Sequence, residues 1–418
     1  MIRRFIWIAA LLLVTSSCSS DAKDETADSN TQDVAQQDVP GDVQEDTTPW
    51  VKGCVDGFCA ADPDHAPDPS KMGPFPVGVE TFYFYVKGDS NETRKIVTEV
   101  WYPATEEVRD LPYDNVNLMD GAPQELIDKI GMTAIDPIPA MQHRDAPLRK
   151  ADGPYPLILF SHGAFGIRFQ NVYYTTLLAS HGYIVASPDH QDNTLYDILL
   201  NGYDMDKVVE SAFDRPLDVY GLLDKMLERN EAKDDRFHDA IDADNIGITG
   251  HSFGGFTSIL CPYEDDRIKA SVPMTPSTYA VPLLGHEFKD FPIPILMMTG
   301  TQDRTLETDV EMAPAYEQMP APKSYFELYK AGHYSYTDIC SLDLLKLAEE
   351  LDFGDAEDAL SDGCGEDNIS VDIAHPLINQ FAVGFFNYHL KGSTDSKKYF
   401  DAAAAEPHSD ILLYKIEE

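Results

Sequence analysis

A serine with glycines two residues to either side stands at Gly250-His251-Ser252-Phe253-Gly254. Asn245-Ile-Gly-Ile-Thr249 precedes it, and Gly255 and the apolar run Phe256-Thr-Ser-Ile-Leu260 follow. Strand, sharp turn and helix in that order present a side chain at the turn, and Gly250 and Gly254 remove the Cβ atoms that would collide there. Ser252 is the candidate nucleophile; the alternative is a glycine-rich helix entry. A hydroxyl attacks only when a base removes its proton, and the base needs an acid to fix its tautomer. The run Ile293 to Gly300 ends in Thr301-Gln-Asp303-Arg304, which makes Asp303 the candidate acid. After the next apolar run, Lys330-Ala-Gly-His333-Tyr334 supplies His333 as the candidate base. A turn-capping aspartate and a surface-loop histidine are the plainer readings of these two.

Acyl chemistry through a serine also needs hydrogen-bond donors for the oxyanion. One is the N–H that follows the nucleophile, that of Phe253. The second is expected after a central strand, where Leu159-Phe-Ser-His-Gly163-Ala164-Phe165-Gly166 makes Ala164 N–H the candidate. The other histidines, His162, His181, His190, His286, His375 and His389, have no acid in the matching chain order and read as structural. The side chain of His251 is expected to point away from Ser252.

The elements that must hold these residues follow from alternation of β-rich and helix-patterned runs. Strands are expected at Val79–Val86, Lys95–Tyr102, Leu157–Ser161, Tyr183–Pro188, Asn245–Gly250, Ala270–Pro273, Ile293–Gly300 and Ser324–Leu328. Helices are expected near Tyr173–Ser180, Met205–Arg229, Ser252–Cys261, Glu307–Met319 and His375–Leu390. Such alternation predicts an α/β fold with a mainly parallel sheet covered on both faces, the first two strands forming an antiparallel hairpin at one side. Residues 104–153 and about 189–215 fit neither strand nor short connection, and read as lid-like insertions or packed excursions.

Composition narrows the function further. With 43% hydrophobic and 25% charged residues among 418, the chain can bury a large core. Its 72 acidic against 31 basic residues, a net charge of −41, would repel a nucleic-acid backbone. Six cysteines without paired metal-ligand spacing predict no structural zinc site, and neither metal nor cofactor is expected. Cys54 with Cys59 and Cys340 with Cys364 are possible disulfides, and Cys261 is expected to be a buried free thiol.

The first 18 residues, Met-Ile-Arg-Arg, an apolar run from Phe5 to Val14 and small residues before Cys18, read as a signal peptide. The run spans only about 15 Å as a helix, too short for a permanent membrane span. Cys18 is placed as in a lipoprotein processing site, although Thr15 stands where Leu is usual. The expectation is an exported bacterial lipoprotein anchored through Cys18 and facing the periplasm or exterior, with secretion as the alternative. Residues 19–70, with 13 acidic side chains against two lysines, predict an acidic tether. Residues 71–418 are the catalytic body.

Pro156-Leu-Ile-Leu-Phe-Ser-His-Gly163, Leu178-Ala-Ser-His-Gly-Tyr-Ile-Val-Ala186, Asp214-Arg-Pro-Leu-Asp218 and Gly250-His-Ser-Phe-Gly-Gly255 resemble the plasma-type platelet-activating-factor acetylhydrolases and bacterial dienelactone-hydrolase-like esterases. The resemblance runs over roughly residues 73–392. It implies the α/β-hydrolase fold and metal-free carboxylic ester hydrolysis, often of short acyl chains, with Ser252, His333, Ala164 and Phe253 in the family's positions. The acetylhydrolases take their acid where this chain has Met274-Thr-Pro-Ser277, so the acid falls to Asp303, as in dienelactone hydrolases and cutinase-like enzymes. Expected substrates are small-molecule or lipid esters, short-acyl phospholipids among them. A polyester hydrolase, an acyltransferase and a non-catalytic binding protein on the same scaffold are the alternatives.

Overall fold

The computed structural model describes residues 67–131, 137–342 and 361–418, together with two short strands, β1 (Cys54–Val55) and β2 (Phe58–Cys59). The signal segment, Cys18 and nearly all of the acidic tether lie outside the described residues. β1 and β2 pair antiparallel with Cys54 opposite Cys59; their side chains are also outside the description.

The body is built on β3 (Val77–Lys87), β4 (Thr93–Pro103), β5 (His143–Arg144), β6 (Tyr155–Ser161), β7 (Ile184–Pro188), β8 (Ile241–His251), β9 (Ile268–Met274), β10 (Ile295–Gly300), β11 (Lys323–Leu328) and β12 (Leu412–Glu417). They form one ten-stranded sheet in the order β12-β11-β10-β9-β8-β6-β7-β4-β3-β5. From β11 to β7 the strands run parallel; β4 joins β7, β3 joins β4 and β12 joins β11 antiparallel. Among the described residues, helices of seven residues or more are α1 (Gln124–Ile130), α2 (Val172–Ser180), α3 (Leu195–Asn201), α4 (Met205–Glu231), α5 (Phe253–Leu260), α6 (Met312–Gln318) and α7 (Val371–Lys391).

The unbroken apolar runs follow from coverage on both faces. On β6, Ile158 and Phe160 pack with Leu177 and Leu178 of α2 and Phe386 of α7. Leu157 and Leu159 pack on the other face with Val219, Leu222 and Met226 of α4. On β10, Leu296 and Met298 join the α7 side while Ile295 and Met297 pack with Met312 of α6. The α/β expectation is thus met.

Structure and sequence expectation differ at several elements. The helix expected over Glu307–Met319 is shorter and runs only from Met312 to Gln318, and the Glu311 carboxylate just before it accepts from Thr278 N–H at 2.9 Å. Strand β10 starts at Ile295, after Pro294. The closing strand β12 went unread: its inner side chains are few, since it edges the sheet with only Leu412 buried. The two insertions pack on each other. Val116, Leu118, Leu126 and Ile138 of the first bury with Tyr196 of the second, against Ile167, Phe169 and Val172, and the Tyr196 hydroxyl donates to Leu118 C=O at 2.6 Å.

Register brings the loops together. Ser161 is opposite Gly250, His251 opposite Met274, Met274 opposite Met298, and Gly300 opposite Leu328. The turns after β6, β8, β10 and β11 therefore leave one edge of the sheet side by side, at the carboxyl ends where such folds place ligands.

Candidate active site

Ser252 has φ 57° and ψ −116°, a left-handed conformation that costs a non-glycine residue roughly 1–3 kcal/mol. The surroundings impose it. Its N–H donates to Met274 C=O at 2.9 Å, and its carbonyl accepts from Phe256 N–H at 3.0 Å in the first turn of α5. A Cβ on Gly254 would sit 1.8 Å from Ser161 O, and one on Gly250 would sit 2.5 Å from both Ser161 O and Gly254 O. Gly250 and Gly254 are therefore needed because three backbone segments meet there without room for a methyl group. Ser252 is half-buried at the head of α5, whose first N–H groups, Phe253 among them, favour negative charge.

Asp303 follows β10 and His333 follows β11; both are buried. His333 Nδ1 donates to Asp303 Oδ2 at 2.8 Å, while Asp303 Oδ1 accepts from Thr305 N–H at 3.0 Å and Leu306 N–H at 2.7 Å. The carboxylate is fixed from both sides, which leaves His333 Nε2 as the nitrogen open for proton transfer. Burial pulls the His333 pKa down, yet the charge and hydrogen bond of Asp303, with Asp362 and Glu311 nearby, outweigh it and hold the imidazole above its ordinary value.

The His251 ring is turned to partners other than Ser252. Its Nε2 donates to His333 C=O at 2.9 Å, so its Nδ1 accepts from Gln170 Nε2 at 3.0 Å. Gln170 Oε1 in turn accepts Gly163 N–H at 2.9 Å, at the start of the loop carrying Ala164. The rings of His251 and His333 are 4.6 Å apart, which sets Ser252 and His333 on adjoining segments. Among the described residues Ser252 Oγ has no hydrogen-bond partner; its pairing with His333 belongs to the proposal below.

Sequence reading missed Asp362. Its Oδ1 accepts His333 N–H at 3.2 Å, and its Oδ2 accepts Arg304 N–H at 3.0 Å, Thr305 N–H at 2.9 Å and Thr305 Oγ1 at 2.7 Å. One buried carboxylate thus ties the acid loop to the base loop. Nothing in its sequence surroundings, Leu360-Ser-Asp-Gly-Cys364, distinguishes it from other surface acids. The neighbouring Cys364 is disulfide-bonded to Cys340 at 2.04 Å, and Cys261 is a buried free thiol.

His190 does have an acid partner. Its Nδ1 donates to Asp218 Oδ2 at 2.9 Å and its Nε2 accepts from Ser161 Oγ at 2.9 Å, a second serine–histidine–aspartate row. All three are fully buried, so no substrate reaches that serine.

Two family models match parts of the chain. Residues 67–200 match the family model described as platelet-activating factor acetylhydrolase, isoform II, and residues 170–347 match the one described as PET hydrolase-like. The second range holds Ser252, Asp303 and His333; the first holds Ala164. The chain is 26% identical to cutinase est2 of Thermobifida alba over 189 residues, 44% of this chain and 55% of the cutinase. It is 26% identical over 208 residues to the platelet-activating factor acetylhydrolase of Canis lupus familiaris, 41% of this chain and 46% of that protein. The chain spans about half the length of the curated relatives it matches. A ferulic acid esterase structure from Streptomyces cinnamoneus superposes with a TM-score of 0.55 at 19% identity, covering 81% of this chain and 96% of the other. The chain has the α/β-hydrolase fold, and over part of its length it is similar in sequence to cutinases and platelet-activating factor acetylhydrolases.

Proposed function

We propose that this α/β hydrolase is a serine carboxylesterase working through Ser252, His333 and Asp303. The observation that carries the reading is Ser252 held in a left-handed turn at the head of α5, beside a loop where His333 is aligned by Asp303. Ser252 Oγ attacks the ester carbonyl carbon as its proton passes to His333 Nε2. The tetrahedral oxyanion is met by Phe253 N–H and Ala164 N–H. Collapse expels the alcohol, which takes the proton from Nε2. Water then repeats the sequence on the acyl-enzyme and releases the acid. Asp303 keeps its negative charge throughout and stabilises the imidazolium.

Substrate class belongs to the same proposal. The acetylhydrolase match favours short-acyl esters, phospholipids included, and the PET hydrolase-like match favours polyesters as the second reading. Export with lipid anchoring through Cys18 is likewise proposed, from the signal-like first 18 residues.

The test is hydrolysis of p-nitrophenyl acetate, butyrate, octanoate and palmitate, a short-acyl phospholipid and a polyester film, with Ser252→Ala and His333→Ala as controls. The expected result is turnover that falls by about 10⁴-fold or more in each variant. Equal activity in parent and both variants removes the triad, and a folded parent inert on every ester favours the binding-protein alternative.

A further inference from the structure

The sequence motif Asp214-Arg-Pro-Leu-Asp218 has no part in the triad, yet α4 carries it directly under the oxyanion loop. Arg215 is fully buried. Its Nη1 donates to His162 C=O at 2.6 Å and to Ser161 Oγ at 3.3 Å. Its Nη2 donates to Gly163 C=O at 2.9 Å and to Asn193 Oδ1 at 2.6 Å, and its Nε donates to Ser211 Oγ at 3.2 Å. The guanidinium carbon also lies 4.5 Å from the ring centre of Phe253, the residue after the nucleophile. One cation therefore touches both segments that would donate to an oxyanion.

Its hydrogen bonds are not spent on the acids of its own motif, although the charge of Asp218 nearby favours its charged form. Arg94 takes both: Nη1 bonds Asp214 Oδ2 at 3.0 Å, while Nη2 and Nε bond Asp218 Oδ2 at 2.9 Å and Oδ1 at 3.1 Å. Among the described residues no carboxylate lies within ion-pair distance of Arg215. A buried cation without a carboxylate is costly unless its N–H groups are fully used. Here two of its acceptors are consecutive backbone carbonyls of the oxyanion loop. Burial lowers the pKa of Arg215 to about 9, still high enough to keep it charged near neutrality.

The Gly163 carbonyl is held by two further donors, His162 Nδ1 at 2.7 Å and Gly166 N–H at 3.1 Å. The Gly163–Ala164 bond is trans, so the carbonyl and Ala164 N–H point in opposite directions from one rigid plane. Fixing the carbonyl on the Arg215 side turns Ala164 N–H to the other side. Ala164 is exposed there, and a Cβ on Gly163 would be 3.4 Å from Ser252 Cβ. A cation on the carbonyl also polarises the peptide and strengthens its N–H as a donor.

We propose that Arg215 is the positioning residue of the oxyanion hole, clamping the His162 and Gly163 carbonyls so that Ala164 N–H is pre-aimed at the charge developing above Ser252. The inference rests on the esterase reading. It requires a loss in the chemical step and not in ground-state binding, since the oxyanion exists only after attack.

The experiment uses the full chain with Arg215→Met, which keeps the stem and removes the charge, and Arg215→Lys, whose single ammonium cannot span two carbonyls and Asn193. Kinetics on p-nitrophenyl butyrate are combined with inhibition by butylboronic acid, which forms a tetrahedral anion on an active serine, and by a neutral butyramide. The expected result for Arg215→Met is a fall in kcat of about 10²- to 10³-fold. KM and butyramide affinity stay within about threefold, and boronate affinity falls in parallel with kcat. Arg215→Lys is expected between parent and Arg215→Met, and carries the test alone if Arg215→Met does not fold. Full kcat and full boronate affinity in the folded variants would overturn the proposal, as would a kcat loss with boronate affinity unchanged. Ser252→Ala separates the two levels. Turnover that survives Ser252→Ala refutes the Ser252 mechanism on which the clamp rests, whereas Ser252-dependent turnover indifferent to Arg215 refutes only the clamp.

Discussion

Replacing Asp303 with Asn changes one atom type and leaves shape almost untouched, so its effect follows from counting donors and acceptors. Asp303 Oδ1 accepts from two backbone N–H groups, those of Thr305 and Leu306, while Oδ2 accepts from His333 Nδ1. An amide NH₂ aimed at Thr305 and Leu306 would face two donors; the Asn oxygen must stay there, and the NH₂ must face the imidazole. His333 Nδ1 then has to accept, which moves the ring proton to Nε2, the nitrogen that should receive the proton of Ser252. The wrong tautomer in an otherwise intact triad costs about 10⁴ in kcat, close to 5.5 kcal/mol of barrier. The assay is kcat on p-nitrophenyl butyrate, with thermal unfolding monitored to show that the fold persists. A folded Asp303→Asn variant within tenfold of the parent would refute both the assignment of Asp303 and the tautomer argument.

Three other outcomes are expected. Because His333 is held above its ordinary value of 6.5 and must be neutral to accept a proton, kcat/KM should rise with pH through an apparent pKa above that value. Asp303→Asn should move this limb to lower pH; a limb that stays put would disconnect the two groups. The sign for stability is opposite: the protonated His333 stabilises the fold most fully below the unfolded-state pKa, and that contribution fades as pH rises through the folded value. Asp362→Ala leaves His333 N–H, Arg304 N–H and Thr305 Oγ1 without their acceptor, and leaves Thr305 N–H with Asp303 Oδ1 alone. Urea denaturation should show a loss of about 3 kcal/mol, and a loss below about 1 kcal/mol would mean that water replaces the carboxylate. Gly254→Ala puts a methyl group 1.8 Å from Ser161 O, so the elbow must open. Soluble protein with parental turnover would contradict the packing described here.

The sequence could reveal the elbow because its rule is local. Strand, two glycines and helix surround Ser252 within a dozen residues, and the covalent chain alone brings them together. Asp303 and His333 were legible for a related reason, since each follows an apolar strand by a few residues and a parallel sheet sends such loops to one edge. The role of Arg215 was not legible although its motif was in plain view. Its partners, His162, Gly163 and Asn193, lie 22 to 53 positions away, and only the crossing of α4 under β6 makes them neighbours. Asp362 was still more hidden: its partners lie 29 to 58 positions away, and an acid in a polar segment reads as solvated until folding buries it. Strand β12 escaped because edge pairing needs little buried surface and leaves no strong apolar pattern. By itself the sequence determined the candidates for nucleophile, acid and base and the parallel sheet, all products of short-range pattern. The tertiary structure alone decided which carboxylates hold the loops in place, which serine–histidine–aspartate row is sealed away from substrate, and where the buried cation directs its charge. Those depend on hydrogen bonds between segments far apart in the chain, which no local pattern encodes.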